Sequence, residues 1–388
     1  MDVTRLKASW EAAAEHGVQL PLFFYSTLFL DNPQVRELFP PAMAGQRDKL
    51  LAALGSLVSN IDQLDTAIPL MRQLGRDHRK FGVVTEHYPA VGQALLATLE
   101  YFLADQWTPD LAADWTEAYG LVAKVMVEAA DAAAESQPPW WEAEIVAHER
   151  RTLDVAVLTL RTSQRLDYLP GQSIAVETEM RPRMWRYYSP ANSPRSDGTL
   201  ELHIRQVDGG AVSSALVQTV GVGDVLRLGA PVGQDLVVDH QRDLLLIAGS
   251  TGLAPFKAFV DQAANEGSRR HIRLFTGVRT RRDFYDMTAL RDYARRVSGL
   301  QVVPVASDDP GYSGERGQVV DVALRQGTWP DEEIYVCGSP RMVAYSRKAL
   351  RSAGVPDERV HHEEFAGAPT APRQQAAPPR TRQEQTYV

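Results

Sequence analysis

Apolar positions in residues 1–137 recur with the helical period in an Ala- and Leu-rich stretch, and no alternating run there is long enough for a strand. Helices are expected around the apolar run 22–29 and at 45–61, 66–80, 89–105 and 111–134. Asp31-Asn32-Pro33 breaks one helix and starts a short one that Phe39-Pro40-Pro41 ends. The pattern changes at Gln137-Pro138-Pro139-Trp140-Trp141. From 138 to 239 short strands such as 143–146 and 173–176 alternate with Gly/Pro turns, which predicts a small antiparallel β-barrel. It changes again near Asp243, where Leu244-Leu245-Leu246-Ile247-Ala248 is wholly apolar. Helix-period stretches then alternate with strands at 272–276, 302–306 and 334–336, the mark of an α/β domain on a parallel sheet over 240–366. The remainder, 367–388, is rich in Pro, Gln, Ala and Arg and is expected to be disordered. The chain therefore reads as multidomain: all-α, then antiparallel barrel, then parallel-sheet α/β.

The length of 388 residues suits roughly two to four domains. A formal net charge of -8 gives no electrostatic footing for nucleic acid or an anionic membrane. A single cysteine, Cys337, excludes an internal disulfide, a cysteine-ligated zinc site and an iron–sulfur cluster, and fits a reducing compartment. The N-terminus carries no apolar stretch of signal-peptide type. The longest apolar run, 20–30, is short for a membrane span and contains Tyr25, Ser26 and Thr27. A cytoplasmic protein with no membrane span and no nucleic-acid partner is expected.

Candidate chemistry begins at Arg186-Tyr187-Tyr188-Ser189, a short strand ended by Pro190. Strand alternation puts Arg186 and Tyr188 on one face, a guanidinium fork for phosphate beside a flat ring, and Ser189 adds a small donor. Upstream stands Tyr168-Leu169-Pro170-Gly171-Gln172. Downstream, Asp208-Gly209-Gly210-Ala211-Val212-Ser213-Ser214 brings two glycines to a helix expected to begin near Ser213 under a serine cap, a seat for pyrophosphate. The three motifs in series resemble the flavin-binding half of the ferredoxin reductase superfamily. That likeness implies FAD held through Tyr168, Arg186, Tyr188, Ser189, Gly210, Val212 and Ser213. The apolar strand then runs into Gly249-Ser250-Thr251-Gly252-Leu253-Ala254-Pro255, which lacks the third glycine of the Gly-x-Gly-x-x-Gly fingerprint. It is similar to the Gly-x-x-Gly-x-x-Pro turn that the same superfamily places beside NAD(P)H, implicating Gly249, Thr251, Gly252 and Pro255. Cys337-Gly338-Ser339-Pro340 resembles its corner near the nicotinamide, although a buried inert thiol is an equal reading of Cys337. Phe365 resembles the terminal aromatic that covers the flavin. Arg279, Arg281 and Arg282 could read a 2′-phosphate or form a solvated basic turn, so NADH and NADPH both stay open. His361-His362 reads as a solvated strand end rather than a metal site.

In the helical domain Leu70, Leu74, His78 and Phe81 share one face. A satisfied core histidine is the plain reading of His78 alone. Tyr25, however, sits in a helix apolar nearly all round, so its hydroxyl needs an internal partner, and Gln46 and Leu50 share a face of another helix beyond Phe39. A tyrosine and a glutamine opposite a histidine suit a haem pocket. Together with Asn32-Pro33, Leu38-Phe39, Ser59-Asn60-Ile61, Tyr88 and Trp115-x-x-x-Tyr119-Gly120, these residues resemble the globin domain of flavohaemoglobins, which fuse a globin to FAD and NAD(P) domains in this order. The resemblance implies haem b, FAD and NAD(P)H as cofactors, His78 as the iron ligand, Tyr25, Gln46, Leu50 and Phe39 around the substrate, and Tyr88 as a hydrogen-bonding partner behind the iron. It implies a monomer acting on O2, NO and NAD(P)H as a nitric oxide dioxygenase, with nitrate the product. Two positions depart from the family: Ala130 stands where a glutamate is usual, with Glu128 and Asp131 expected on other sides of the helix, and Asp77 stands where a lysine is common. Both departures should weaken electron donation to iron. An oxygen- or redox-sensing haem protein, and a flavin reductase serving an external acceptor, are the rival expectations.

Overall fold

The computed structural model describes residues 1–238 and 242–364. Its helical domain runs α1 (Val3–Ala14), α2 (Gln19–Asp31), α3 (Ala44–Ser59), α4 (Leu64–His78), α5 (Tyr88–Leu103) and α6 (Pro109–Ala134). Pro33 opens a 3-10 turn to Leu38, as the Asn32-Pro33 break predicts. Caps set two helix starts: the Asp2 side chain accepts from Arg5 N, and Thr108 Oγ1 accepts from Leu111 N with Pro109 at the first helical position. α4 crosses α6 at Gly75, where a Cβ would lie 2.2 Å from Met126 O, so only glycine permits the approach. Apolar residues here form two clusters rather than one. The larger contains Leu6, Leu20, Phe24, Tyr25, Leu28 and Leu99, and the smaller joins Leu57, Ala67, Met71 and Met126.

The second domain is the expected antiparallel barrel. Its strands are β1 (Trp141–Arg150), β2 (Val155–Thr162), β3 (Ile174–Thr178), β4 (Arg186–Tyr188), β5 (Thr199–Arg205) and β6 (Val225–Leu228), with α7 (Ala211–Gln218) before the last. Their order is β4-β3-β6-β1-β2-β5, and a Pro190–Leu202 bridge brings the two edges together, so the sheet nearly closes.

In the third domain the sheet is parallel. β7 (Leu244–Gly249), α8 (Leu253–Asn265), β8 (Ile272–Val278), α9 (Met287–Arg296), β9 (Leu300–Ala306), β10 (Glu315–Arg316), α10 (Val319–Gln326), β11 (Glu333–Gly338), α11 (Pro340–Ser352) and β12 (Val360–Glu364) follow in sequence. The order β10-β9-β8-β7-β11-β12 turns back at β7, so a crevice opens between the carboxyl ends of β7 and β11. Val155 and Val157 of the barrel pack into this domain's core beside Phe256 and Tyr335, which joins the two domains through apolar contact. Among the described residues no helix is long and apolar enough to cross a membrane. The expectations for Phe365, for the tail 367–388 and for the 239/240 boundary fall on or against residues outside those described.

Candidate functional site

His78 closes α4, and its ring Nδ1 lies 2.6 Å from the Leu74 carbonyl one turn back. A carbonyl only accepts, so Nδ1 carries the proton and Nε2 keeps a lone pair. Burial lowers the pKa of His78, which keeps the ring neutral at pH 7. Half-buried apolar side chains pack on both clusters: Leu70, Leu74 and Tyr88 on the smaller, and Phe39, Leu50 and Leu54 on the larger. A neutral imidazole in a helical domain whose apolar residues divide in two fits an iron porphyrin, which is flat and largely apolar.

Tyr25 is 6% exposed and boxed by Phe24, Phe29 and Phe39 at ring-centroid distances of 5.0, 5.7 and 5.5 Å. Burial pushes its pKa up to about 12, against a side-chain hydrogen bond with Gln46 that pulls the other way. The phenol therefore keeps its proton. Tyr88 begins α5, and its carbonyl accepts from the Tyr119 hydroxyl at 2.6 Å. Its own pKa is raised by burial and then by the charge of Asp131. Asp131 is exposed on α6, and Ala130 leaves the usual position empty of a carboxylate.

On the barrel, Arg186 and Tyr188 pair with Val176 and Ile174 of β3 and so share a face. The Arg186 guanidinium is exposed and spends one N–H on Trp185 O, leaving others for phosphate. Burial raises the pKa of Tyr188. Ser189 Oγ lies 3.2 Å from Ser173 Oγ, and Ser173 Oγ donates to Glu363 Oε1 at 2.8 Å. Glu363 was not singled out in the sequence; its pKa is raised by burial, and it brings β12 to the foot of the flavin strand.

One expectation is corrected here. α7 starts at Ala211 behind Gly210, with no side-chain cap; Ser213 instead lies inside the helix and donates to Gly210 O at 3.2 Å. Val212 is buried beneath it in the barrel core. Tyr168 also lies in that core, with its hydroxyl donating to Asn192 O at 3.0 Å.

At the β7/β11 crevice a Cβ on Gly252 would stand 2.2 Å from Cys337 O and 3.0 Å from Gly338 N. The two turns touch backbone to backbone, which explains glycine at Gly252. Ser250 adopts φ 53°, an uncommon left-handed value for a side-chain residue, and accepts from Arg205 of the barrel at 3.2 Å. Thr251 and Pro255 are buried at the start of α8, and Gly249 ends β7. Cys337 is fully buried, and burial pushes its thiol well above the ordinary range. Arg279, Arg281 and Arg282 are exposed after β8, with Arg281 N donating to Asp309. His361 is half-buried, stacks on Tyr335 at 4.5 Å and lies 2.9 Å from Glu333 Oε2, so it is not the solvated end expected.

A buried ionic cluster absent from the sequence reading joins the barrel to the parallel-sheet domain. Glu201 and His203 on β5 meet Lys257 on α8 and Asp286 before α9. Lys257 Nζ donates to Glu201 and lies 2.8 Å from Asp286 Oδ2, while Glu201 Oε1 is 2.7 Å from His203 Nε2. The three potential ligands Glu201, His203 and Asp286 have the spread of a metal site, but the Lys257 ammonium already supplies the cation.

Comparison with known proteins agrees with this order of domains. Residues 22–126 match the globin family, 142–235 the oxidoreductase FAD-binding domain and 246–348 the oxidoreductase NAD-binding domain. A flavohemoprotein of Bacillus subtilis is 27% identical over 387 residues, covering 93% of this chain and 95% of that one. The structure superposes on a flavohemoglobin of Malassezia yamatoensis with bound FAD and heme (TM-score 0.77, 20% identity, 94% and 98% of the two chains). It also matches the FAD/NAD-binding domain of a nitric oxide dioxygenase of Vibrio cholerae (TM-score 0.53, 22% identity, 58% and 98%). Fold and site define an NAD(P)H-dependent oxidoreductase that carries haem, FAD and a nicotinamide site on one chain. In domain content and order the chain matches the flavohaemoproteins.

Proposed function

We infer that this flavohaemoprotein is a nitric oxide dioxygenase, converting nitric oxide and oxygen to nitrate at the expense of NAD(P)H. The observation that carries the reading is the pairing of a metal-ready His78 with a protonated, aromatic-boxed Tyr25. When bound, the nicotinamide, the flavin and the haem would supply hydride transfer, its division into single electrons, and oxygen chemistry. His78 would hold the iron through Nε2, its ring oriented by Leu74 O. Tyr25, steadied by Gln46, would donate a hydrogen bond to the oxygen substrate, and Phe39 and Leu50 would keep water from it. Tyr88, in the field of Asp131, would support the imidazole side. Arg186 and the N-terminus of α7 would hold the FAD phosphates with Tyr188 and Ser189 against the ring. Gly249, Thr251, Gly252 and Gly338 would form the floor for the nicotinamide, and buried Cys337 would act there by packing.

The test is anaerobic reduction of the purified holoprotein by NADH or NADPH, then admission of oxygen and nitric oxide with nitrate measured against cofactor oxidised. Stoichiometric nitrate supports the reading. Tight oxygen binding with little nitric oxide consumed would instead favour a sensor, a reading supported by the neutral carbonyl as the only recorded hydrogen-bond partner of His78 Nδ1 among described residues.

A further inference from the structure

One buried cation lies where the helical domain meets the flavin strand. Lys80, two residues past His78, is 5% exposed. Its ammonium donates to Asp77 Oδ1 and, at 2.9 Å, to the Tyr187 hydroxyl. That hydroxyl donates in turn to Asp77 Oδ2 at 3.0 Å. The rings of Phe81, Tyr187 and Trp185 surround it at 4.9, 5.0 and 5.9 Å. This is a closed three-membered network in a cation–π box, with Asp77 and Lys80 from one domain and Tyr187 and Trp185 from the other.

The same seam links the two expected redox centres. Phe81 packs edge-on against the His78 ring at 6.0 Å and against Trp185 at 6.3 Å. Trp185 and Tyr187 flank Arg186 on the strand that bears the flavin residues. A buried ion pair is costly to desolvate, so its presence here, between an iron ligand and a flavin strand, points to a use for charge.

Resting on the flavohaemoprotein reading above, we propose that Lys80 is a positioning residue for electron transfer. It locks α4 to β4 through Tyr187, and its charge, set against that of Asp77, tunes the iron that His78 holds. With the cofactors bound, the step concerned would pass one electron from reduced flavin to ferric iron, and the two electrons of one nicotinamide hydride would serve two such steps. A positive charge near the iron favours the reduced form and a negative charge disfavours it. Lys80 and Asp77 should therefore act with opposite signs, which a purely structural pair would not do.

The experiment compares haem midpoint potentials, by spectroelectrochemistry, and anaerobic flavin-to-haem rates, by stopped flow, in the full-length holoprotein and its Lys80→Met and Asp77→Asn variants. Lys80→Met should move the potential negative and slow flavin-to-haem transfer by about tenfold. Asp77→Asn should move the potential positive. The NAD(P)H-to-flavin rate should match wild type in both. Potentials that stay put or move the same way, with flavin-to-haem rates within about twofold of wild type, overturn the proposal. If Lys80→Met does not fold, the sign of the Asp77→Asn shift decides alone. Wild-type protein that makes nitrate while both variants behave like it removes only this proposal. Wild-type protein that reduces its haem without making nitrate removes only the dioxygenase reading.

Discussion

Replacing Lys257 with methionine should loosen the seam between the barrel and the parallel-sheet domain. Methionine keeps most of the side-chain volume and removes the charge. Lys257 is 4% exposed and its ammonium serves two carboxylates, Glu201 and Asp286, the latter 2% exposed. Asp286 has no directed hydrogen bond among described residues. Beyond Lys257 its nearest cation is Arg151, at 3.7 Å. At 2.8 Å and an effective dielectric of 20, the Lys257–Asp286 attraction alone is roughly 6 kcal/mol before desolvation. Desolvation offsets much of that in the wild type, but deleting one partner strands the other, and such deletions cost about 3–5 kcal/mol. Urea unfolding of the FAD-loaded protein, followed by flavin fluorescence as the cofactor is released, measures the loss. The deficit should narrow between pH 7 and pH 5, because the stranded carboxylates can then take up protons. Asp286→Asn in the Lys257→Met background should restore part of the stability. A single variant within about 1 kcal/mol of wild type at pH 7, or a double variant no better than the single, would refute the argument.

Three further outcomes are expected. Burial alone would raise the pKa of Glu201, but its hydrogen bond to His203 and the Lys257 charge hold it down at about 2, from an ordinary 4.5. Its contribution, roughly 3 kcal/mol at 1.36 kcal/mol per tenfold change in acidity, is present above pH 4.5 and lost as pH falls toward 2; acid unfolding of Glu201→Gln should lack that component. Tyr25→Phe should release oxygen from the reduced protein about tenfold faster without altering flavin reduction, and, with its pKa near 12, the wild-type off-rate should be flat from pH 6 to 9. Equal off-rates in laser-flash measurements would dismiss Tyr25 from the site. Gly252→Ala must spread β7 from β11, because the clash is with backbone, and should cost about 1–3 kcal/mol. It should weaken NAD(P)H binding while leaving FAD content unchanged, and titration calorimetry showing wild-type affinity would contradict this.

Much of the architecture was written in local pattern. The run 244–248 alternates on no face because β7 is buried on both, and the break at Asn32-Pro33 acts through proline's fixed φ, which needs no tertiary context. What escaped the sequence was set by partners from distant elements. The burial of Lys80 is not legible locally, because the residues that cover it, Trp185 and Tyr187, lie more than a hundred positions away. The start of α7 was read two residues late because serine is the commoner cap, while here Gly210 fits beside Val207 where any Cβ would collide. Tyr168 lay next to a turn motif, and only the closed barrel revealed that its hydroxyl donates to Asn192 O.

The pleat of a single short strand lets five consecutive residues answer to all three domains. Trp185 and Tyr187 turn toward the helices, Arg186 and Tyr188 toward the opposite side, and Ser189 meets the last described strand through Ser173 and Glu363. Inserting or deleting one residue there would exchange the two sets, aiming the guanidinium at the iron ligand's helix and the Lys80 cage at solvent or cofactor. The spacing of these residues is therefore held from both faces at once.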